Sequence, residues 1–302
     1  MERRLLEWAQ ERGYRVAWGP ASVVAEARRG VLERRERGEI EAGFFRDAVE
    51  ALTGDALPGL ASVVAVAKPA PAHLVRFRRA GAAVEALLPP TYVRYRATFE
   101  EVRQDLARHG LPGARVEQID GPLKAVAERL GLVRYGRNNV TYAEGLGSYV
   151  QLCLFATDAE LPTAAAAAAP ALLEACAGCA ACAAVCPTGA IDGERVLLHG
   201  ERCLTRFNEV PGDWPEWLPA AAHECLLGCV ACQQVCPANG EMEVVDTGVE
   251  FSETETRTLL EGGGDDGGRA GFGVRCKLAW LGQPYAEPVL GRNLRALLAA
   301  RG

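Results

Sequence analysis

Nine of the eleven cysteines in this 302-residue chain fall between Cys176 and Cys236, and the first 150 residues contain none. The first run reads Cys176-x-x-Cys179-x-x-Cys182-x-x-x-Cys186-Pro187 and continues Thr188-Gly189-Ala190-Ile191. The second reads Cys225-x-x-x-Cys229-x-x-Cys232-x-x-x-Cys236-Pro237, its first spacing being three in place of two. Thiolates are soft ligands suited to iron–sulfur and zinc. A tight loop with a sulfur at every third residue supplies three thiolates to one cuboidal iron–sulfur cluster. A fourth cysteine, turned aside by the following proline, reaches a second cluster. The chemistry implied is one-electron transfer.

The spacing is that of bacterial ferredoxins, whose two clusters are cross-ligated. That logic assigns Cys176, Cys179, Cys182 and Cys236 to a first [4Fe–4S] cluster. It assigns Cys186, Cys229 and Cys232 to a second, with Cys203 and Cys225 competing for the last place. Structural zinc takes four ligands, commonly from two C-x-x-C pairs, and this segment has too many thiolates in the wrong triplets for that. Cys153, Cys276 and the unused member of the Cys203/Cys225 pair read as small apolar residues.

Other chemistries leave little trace. There is no G-x-G-x-x-G between a strand and a helix, no phosphate-binding G-x-x-x-x-G-K-[ST], and no nucleophile–base constellation. The formal net charge of −6 argues against broad contact with nucleic acid. Arginines concentrate at Arg76–Arg79 and Arg94–Arg103, where a solvated face is the simpler reading. The longest apolar run, Thr163–Leu173, is far shorter than the roughly 20 residues a membrane span requires. The N-terminus lacks the apolar stretch of a signal peptide. A cytoplasmic protein without a membrane partner is expected.

The elements that must position the cysteines are an α+β mixture. Helices are expected over Leu5–Glu11, Ala21–Arg37, Phe44–Leu52, Thr98–His109 (capped by Thr98, stopped by Gly110) and Pro122–Leu130. Leu60–Ala67 is the clearest strand, followed by Ala83–Leu88, Val140–Tyr142 and Tyr149–Ala156, the last two around a Gly145-x-Gly147 turn. The spacing divides the chain into an α+β domain over 1–162, an alanine-rich linker over 163–175, a double-cluster domain over 176–245, and a segment over 246–302 that packs back on the body. Thr163–Ala169 is expected to be helical, Gly262–Gly271 a glycine- and aspartate-rich loop, and Gly291–Arg301 a final helix.

From Ser62 onward the order of motifs resembles epoxyqueuosine reductase, the cobalamin-dependent iron–sulfur enzyme family of tRNA queuosine synthesis. The matching residues start with Ser62–Ala67 before Pro69, then Gly131-Leu132, Tyr135-Gly136-Arg137-Asn138-Asn139 and Gly147-Ser148-Tyr149. Beyond these come Thr157-Asp158, both cysteine runs, Glu201-Arg202-Cys203, Pro237-x-Asn239 and Arg292-Asn293-Leu294. The resemblance implies a nitroreductase-like N-terminal core that holds cobalamin, with the nearer cluster reducing its cobalt. It implies Cys203 as the eighth cluster ligand, since the family's lone cysteine after an arginine ligates the second cluster. It implies Asp120, in Gln118-Ile119-Asp120-Gly121-Pro122, as the acid that donates a proton; a helix N-cap is a parallel reading of that residue. Tyr135, Arg137, Asn138, Asn139, Gly147 and Ser148 become the expected cofactor contacts.

Three departures accompany the likeness. The family's stretch between the aspartate and the glycine pair is longer. Arg134 and Arg137 stand where tryptophan and lysine are usual. The helical-repeat tail by which many of these enzymes grip tRNA does not follow Arg292-Asn293-Leu294. With the acidic charge, these features favour a small-molecule substrate over tRNA, in a short, divergent subgroup. An external ferredoxin- or flavodoxin-type donor is expected to supply electrons. The alternative is an electron-transfer adaptor with no corrinoid.

Overall fold

The computed structural model describes residues 1–53, 60–162, 172–192, 197–262 and 268–300. Helix α1 (Glu2–Glu11) turns Leu5, Trp8 and Ala9 inward and leads into strand β1 (Arg15–Pro20). Helix α2 (Ser22–Glu36) buries Val23, Val24 and Ala27. The helix expected over Phe44–Leu52 is three successive short turns. The first, α3 (Ala42–Phe44), is capped by the Glu41 carboxylate, which accepts from the Gly43 and Phe44 amides at 2.8 and 2.6 Å. A π turn over Phe45–Val49 and a 3-10 turn over Glu50–Thr53 continue it.

Strand β2 (Ser62–Pro69) is followed by the hairpin β3 (Ala72–Arg79) and β4 (Ala82–Leu88). Helix α4 (Tyr95–Asp105) starts one turn before the expected Thr98, from an Arg94 in the left-handed region, and runs through a π turn to Gly110. Short β5 (Val116–Gln118) precedes α5 (Leu123–Arg129). A small hairpin, β6 (Val133–Tyr135) and β7 (Thr141–Ala143), then leads to β8 (Val150–Thr157). The cysteine region carries only short helices: α6 (Ala181–Val185), α7 (Leu204–Glu209) and α8 (Ala231–Gln234). Strand β9 (Val244–Phe251) precedes α9 (Glu253–Leu260), which opens on a Ser252/Glu255 capping box. Helix α10 (Arg269–Leu281) ends at Gly282, and α11 (Glu287–Ala300) closes the described chain. The expected Thr163–Ala169 helix lies outside the described residues, as do 263–267 of the expected Gly262–Gly271 loop, whose last positions instead begin α10.

The central sheet has the antiparallel order β1-β2-β8-β5. Alternate residues of β2 enter two different cores. Val63, Ala65 and Ala67 pack with Val23, Ala27 and Val126 of α2 and α5, while Val64 and Val66 pack with Leu5, Trp8 and Phe99 of α1 and α4. A strand covered on both faces needs no polar alternation, which is why Ser62–Ala67 is a nearly unbroken apolar run. A second sheet, β4-β3-β9, joins β3 and β9 in parallel across the whole cysteine region. Phe77 and Phe251 stack there at 4.7 Å, over Leu278, Leu290 and Leu294 of α10 and α11. Burying each such ring stabilises the fold by about 2 kcal/mol.

Candidate functional site

The cysteines gather in two sets. Cys176, Cys179, Cys182 and Cys236 line one small cavity together with Arg137, Asn138, Tyr142 and Pro237. A cuboidal cluster takes each of four thiolates on a different iron. Cys186, Cys203, Cys229 and Cys232 form the second set. Burial pushes the Cys229 thiol up to about 11, and Cys203 and Cys186 add to the effect. Burial pushes Cys232 up too, with Cys229, Cys203 and Cys186 as neighbouring charges. Thiolates in such surroundings require cationic partners, which iron supplies. Cys225 is placed differently. It is 1% exposed and forms a backbone bridge with Leu87 at the edge of β4.

Backbone amides point at the sulfurs, a feature that stabilises thiolate charge. The Arg137 amide donates to Cys176 Sγ at 3.4 Å and the Ala190 amide to Cys186 Sγ at 3.3 Å. The Arg137 amide comes from the tip of the β6–β7 hairpin, where Tyr135-Gly136-Arg137-Asn138-Asn139 forms the turn. Asn138 is 2% exposed; its Nδ2 donates to the Tyr142 hydroxyl at 2.9 Å and to the Cys232 carbonyl at 3.3 Å. Asn139 takes φ +58°, and its carbonyl accepts from Lys124 Nζ at 3.1 Å. The Tyr135 carbonyl accepts from the Leu173 amide at 2.8 Å, just before the first cysteine run. A Cβ on Gly136 would meet the Tyr142 ring at 2.6 Å, so glycine is what lets that ring approach the turn so closely.

Gly147 and Ser148 make the second clamp. Gly147 has φ +67°, and a Cβ there would lie 2.4 Å from Asn239 Oδ1. Asn239 Oδ1 accepts from the Ser148 amide at 2.7 Å, and its Nδ2 donates to Ser148 Oγ and to the Gln233 carbonyl, both at 2.8 Å. Ser148 Oγ donates on to Gln233 Oε1 at 3.0 Å. The turn before β8 is thus locked to the segment holding Cys232 and Cys236. On the other side, Asn293 of α11, fully buried, donates to the carbonyls of Asn208 and Leu226 at 2.8 and 2.9 Å. Asn208 in turn donates to the Gly228 carbonyl at 2.9 Å, beside Cys229.

Against the first cysteine cavity lies a large one of about 1100 Å³. Its walls are Pro69 and Ala70 at the end of β2, Gly131–Arg134, Tyr142–Gly147, Tyr149, Leu172–Glu174, and Ala238, Gly240, Glu241 and Glu243 beyond the second cysteine run. Of the expected cofactor contacts, Gly147 faces this space. Arg137 and Asn138 face the cysteine cavity instead, and Ser148 is buried in its bonds to Asn239 and Gln233. Asp120 is exposed on the segment between β5 and α5, outside the cavity lining, and its carbonyl accepts from Arg28 Nη2 at 3.1 Å. It does not cap α5, whose N-cap position is Pro122 with no side-chain bond. Tyr142 belongs to the walls of both cavities. Burial and a hydrogen bond to Cys236 hold its phenol well above the ordinary tyrosine range. Sequence reasoning did not single it out, because a tyrosine in a short strand carries no motif.

These features define a two-cluster iron–sulfur protein: residues 175–239 match the 4Fe-4S double cluster binding domain family. Over its whole length the chain is similar in fold to epoxyqueuosine reductases. The Streptococcus thermophilus enzyme superposes with a TM-score of 0.73 at 18% identity, covering 100% of this chain and 81% of that one. The Bacillus subtilis enzyme, with its catalytic aspartate loop swung out of the active site, gives 0.65 at 21%, covering 99% and 81%. An epoxyqueuosine reductase with a tRNA-Tyr epoxyqueuosine-modified stem loop gives 0.65 at 20%, again over 99% and 81%. No curated protein matches the sequence.

Proposed function

We propose that the protein is an iron–sulfur reductase whose two [4Fe–4S] clusters pass electrons to a cobalamin in the 1100 Å³ cavity, for reductive chemistry on a small molecule. The observation that carries this reading is adjacency: Tyr142 separates the large cavity from the cavity of Cys176, Cys179, Cys182 and Cys236. The first cluster takes those four cysteines, and the second takes Cys186, Cys203, Cys229 and Cys232. The core over 1–162 is read as nitroreductase-like, with the double-cluster domain over 176–245 following the linker. The segment over 246–302 braces both.

The cavity fits a flat, amide-fringed macrocycle. Gly240 leaves backbone open to a close approach, and the carboxylates of Glu144, Glu174, Glu241 and Glu243 offer acceptors for corrin amides. Cobalamin, when bound, supplies a low-valent cobalt that is both nucleophile and strong reductant. The chain's own residues do the rest. Gly147 lets the wall come close, while Tyr135, Arg137, Asn138, Asn139 and Ser148 hold that wall against the cluster segment. Asp120 is the proton donor, a reading supported by the Bacillus subtilis neighbour, whose catalytic loop carries an aspartate. Epoxyqueuosine in tRNA is the second reading of the substrate, supported by the neighbour holding a modified stem loop. A ferredoxin- or flavodoxin-type carrier in the cytoplasm is the proposed donor.

The test is anaerobic purification, cluster reconstitution, incubation with hydroxocobalamin and removal of the excess. A stoichiometric base-off cobalamin spectrum is expected. A spectrum with only the broad iron–sulfur shoulder, on protein carrying both clusters, overturns the corrinoid and leaves an electron-transfer adaptor. Turnover of epoxyqueuosine-modified stem loop by the loaded protein would decide for tRNA.

A further inference from the structure

Of the residues lining the large cavity and the cavity of Cys176, Cys179, Cys182 and Cys236, Tyr142 alone belongs to both. It stands in the middle of β7 and is 4% exposed. A phenol buried to that degree needs partners for its hydroxyl. Asn138 Nδ2 donates to it at 2.9 Å. The rest of the Asn138 amide fixes the direction of that bond. Its Oδ1 accepts from the Val140 amide at 3.2 Å, and its Nδ2 donates also to the Cys232 carbonyl at 3.3 Å. Turning the amide over would set oxygen against the Cys232 carbonyl and N–H against the Val140 N–H. The Tyr142 hydroxyl is therefore the acceptor toward Asn138, and its own proton is free for a second partner. That partner is Cys236, to which the hydroxyl is hydrogen-bonded.

We propose that Tyr142 is a positioning residue for electron transfer: its hydroxyl donates to Cys236 and raises the potential at which the first cluster is reduced. The inference deepens the proposed function and rests on reading Cys176, Cys179, Cys182 and Cys236 as ligands of one cluster; it does not require the corrinoid. On reduction a cluster gains one electron, and part of the added charge falls on its ligand sulfurs. A hydrogen-bond donor at such a sulfur stabilises the reduced state more than the oxidised one. The Arg137 amide meets Cys176 Sγ at 3.4 Å in the same sense, but a backbone donor is there whatever the side chain. At Tyr142 the donor is one oxygen atom on a ring. One electron enters the cluster, the hydroxyl keeps its proton, and no bond breaks. The effect draws the electron toward the cluster that lies against the large cavity.

The test uses protein with both clusters reconstituted and no added cobalamin, titrated potentiometrically and followed by EPR. Cys203→Ser, expected to lack the second cluster, marks the wave that belongs to the first. Tyr142→Phe keeps the ring and deletes the donor. Placing 3-fluorotyrosine at Tyr142 by amber suppression keeps the ring and strengthens the donor, because the fluorinated phenol is more acidic. Opposed shifts are expected. Tyr142→Phe should lower the first midpoint by about 59 mV, which is about tenfold in a one-electron equilibrium. The fluorinated protein should raise it, and the second wave should stay in place in both. A side chain that only packs gives no such opposed pair. An unchanged first midpoint in both proteins, or equal shifts of both waves, overturns the proposal. Should Tyr142→Phe fail to hold the first cluster, the direction of the fluorinated protein's shift decides alone. Wild-type iron short of two full clusters instead sinks the cluster reading. A missing base-off cobalamin spectrum sinks only the corrinoid and leaves the midpoint result standing.

Discussion

Cys203 and Cys225 show how one residue's role depends on its surroundings. Cys225 opens the second run and Cys203 stands alone before it, and spacing alone leaves them as rivals. Cys203 lies among Cys186, Cys229 and Cys232, whereas Cys225 is sewn to Leu87 by its backbone and sits almost wholly in the core. Replacing Cys203 by serine is expected to lose about half the iron, while Cys225→Ser keeps both clusters; iron and sulfide assays on anaerobically purified protein check this. Asp120 belongs to the same scale. Its exposed carboxylate supports no helix cap, so Asp120→Asn should leave folding and cobalamin binding unchanged while slowing turnover about 100-fold or more, the usual contribution of a positioned acid. Single-turnover kinetics read this directly. Unchanged turnover would remove Asp120 from the chemistry.

Among the elements, the β6–β7 hairpin and the turn before β8 matter most, because they join the central sheet to the cysteines. Asn138 holds Cys232 through its carbonyl, the Arg137 amide meets Cys176, and Ser148 and Asn239 fasten the two segments together. Gly147 is the close point of that contact. Gly147→Ala is expected to cost about 1–3 kcal/mol, from a left-handed backbone and displacement of Asn239. Denaturant unfolding measures the loss, and the cobalamin titration should weaken in parallel. The sequence placed the elements themselves well where periodicity was strong: α1, α2, α5, β2 and β8 lie where apolar spacing puts them. It missed β1, β3, β5, β6 and β9. In β3 the outward Arg76 and Arg78 pair with Glu85, Asp246 and Glu250, so an arginine-rich strand reads locally as a charged surface.

At the scale of the molecule, the chain closes on itself around the cysteine region. Strand β9 pairs with β3 from the other end of the sequence, and α11 reaches back through Asn293 to the carbonyls that flank the second cysteine set. Asn293→Ala leaves two buried carbonyls without that donor and should destabilise the protein by about 1–3 kcal/mol. Loss of the second cluster in air should be faster than loss of the first, followed by EPR of the reduced protein. Equal loss of both clusters would show that α11 steadies the fold without favouring the second site.

Thiolate number and spacing are local properties, so iron–sulfur chemistry and its two-cluster count were legible in the sequence. The apolar runs likewise declared a mixed α+β protein. The tertiary structure decided what depends on distant partners: that Cys203 lies near Cys186, Cys229 and Cys232, that Tyr142 stands between two cavities, and that Asn138 and Ser148 are buried in bonds to the cysteine segment. It also set an aromatic cavity beside the second cysteine set from residues 91–97, 209 and 279–285. Contacts across such separations depend on how sheets and helices close around a shared core, and no spacing rule within a single segment encodes that closure.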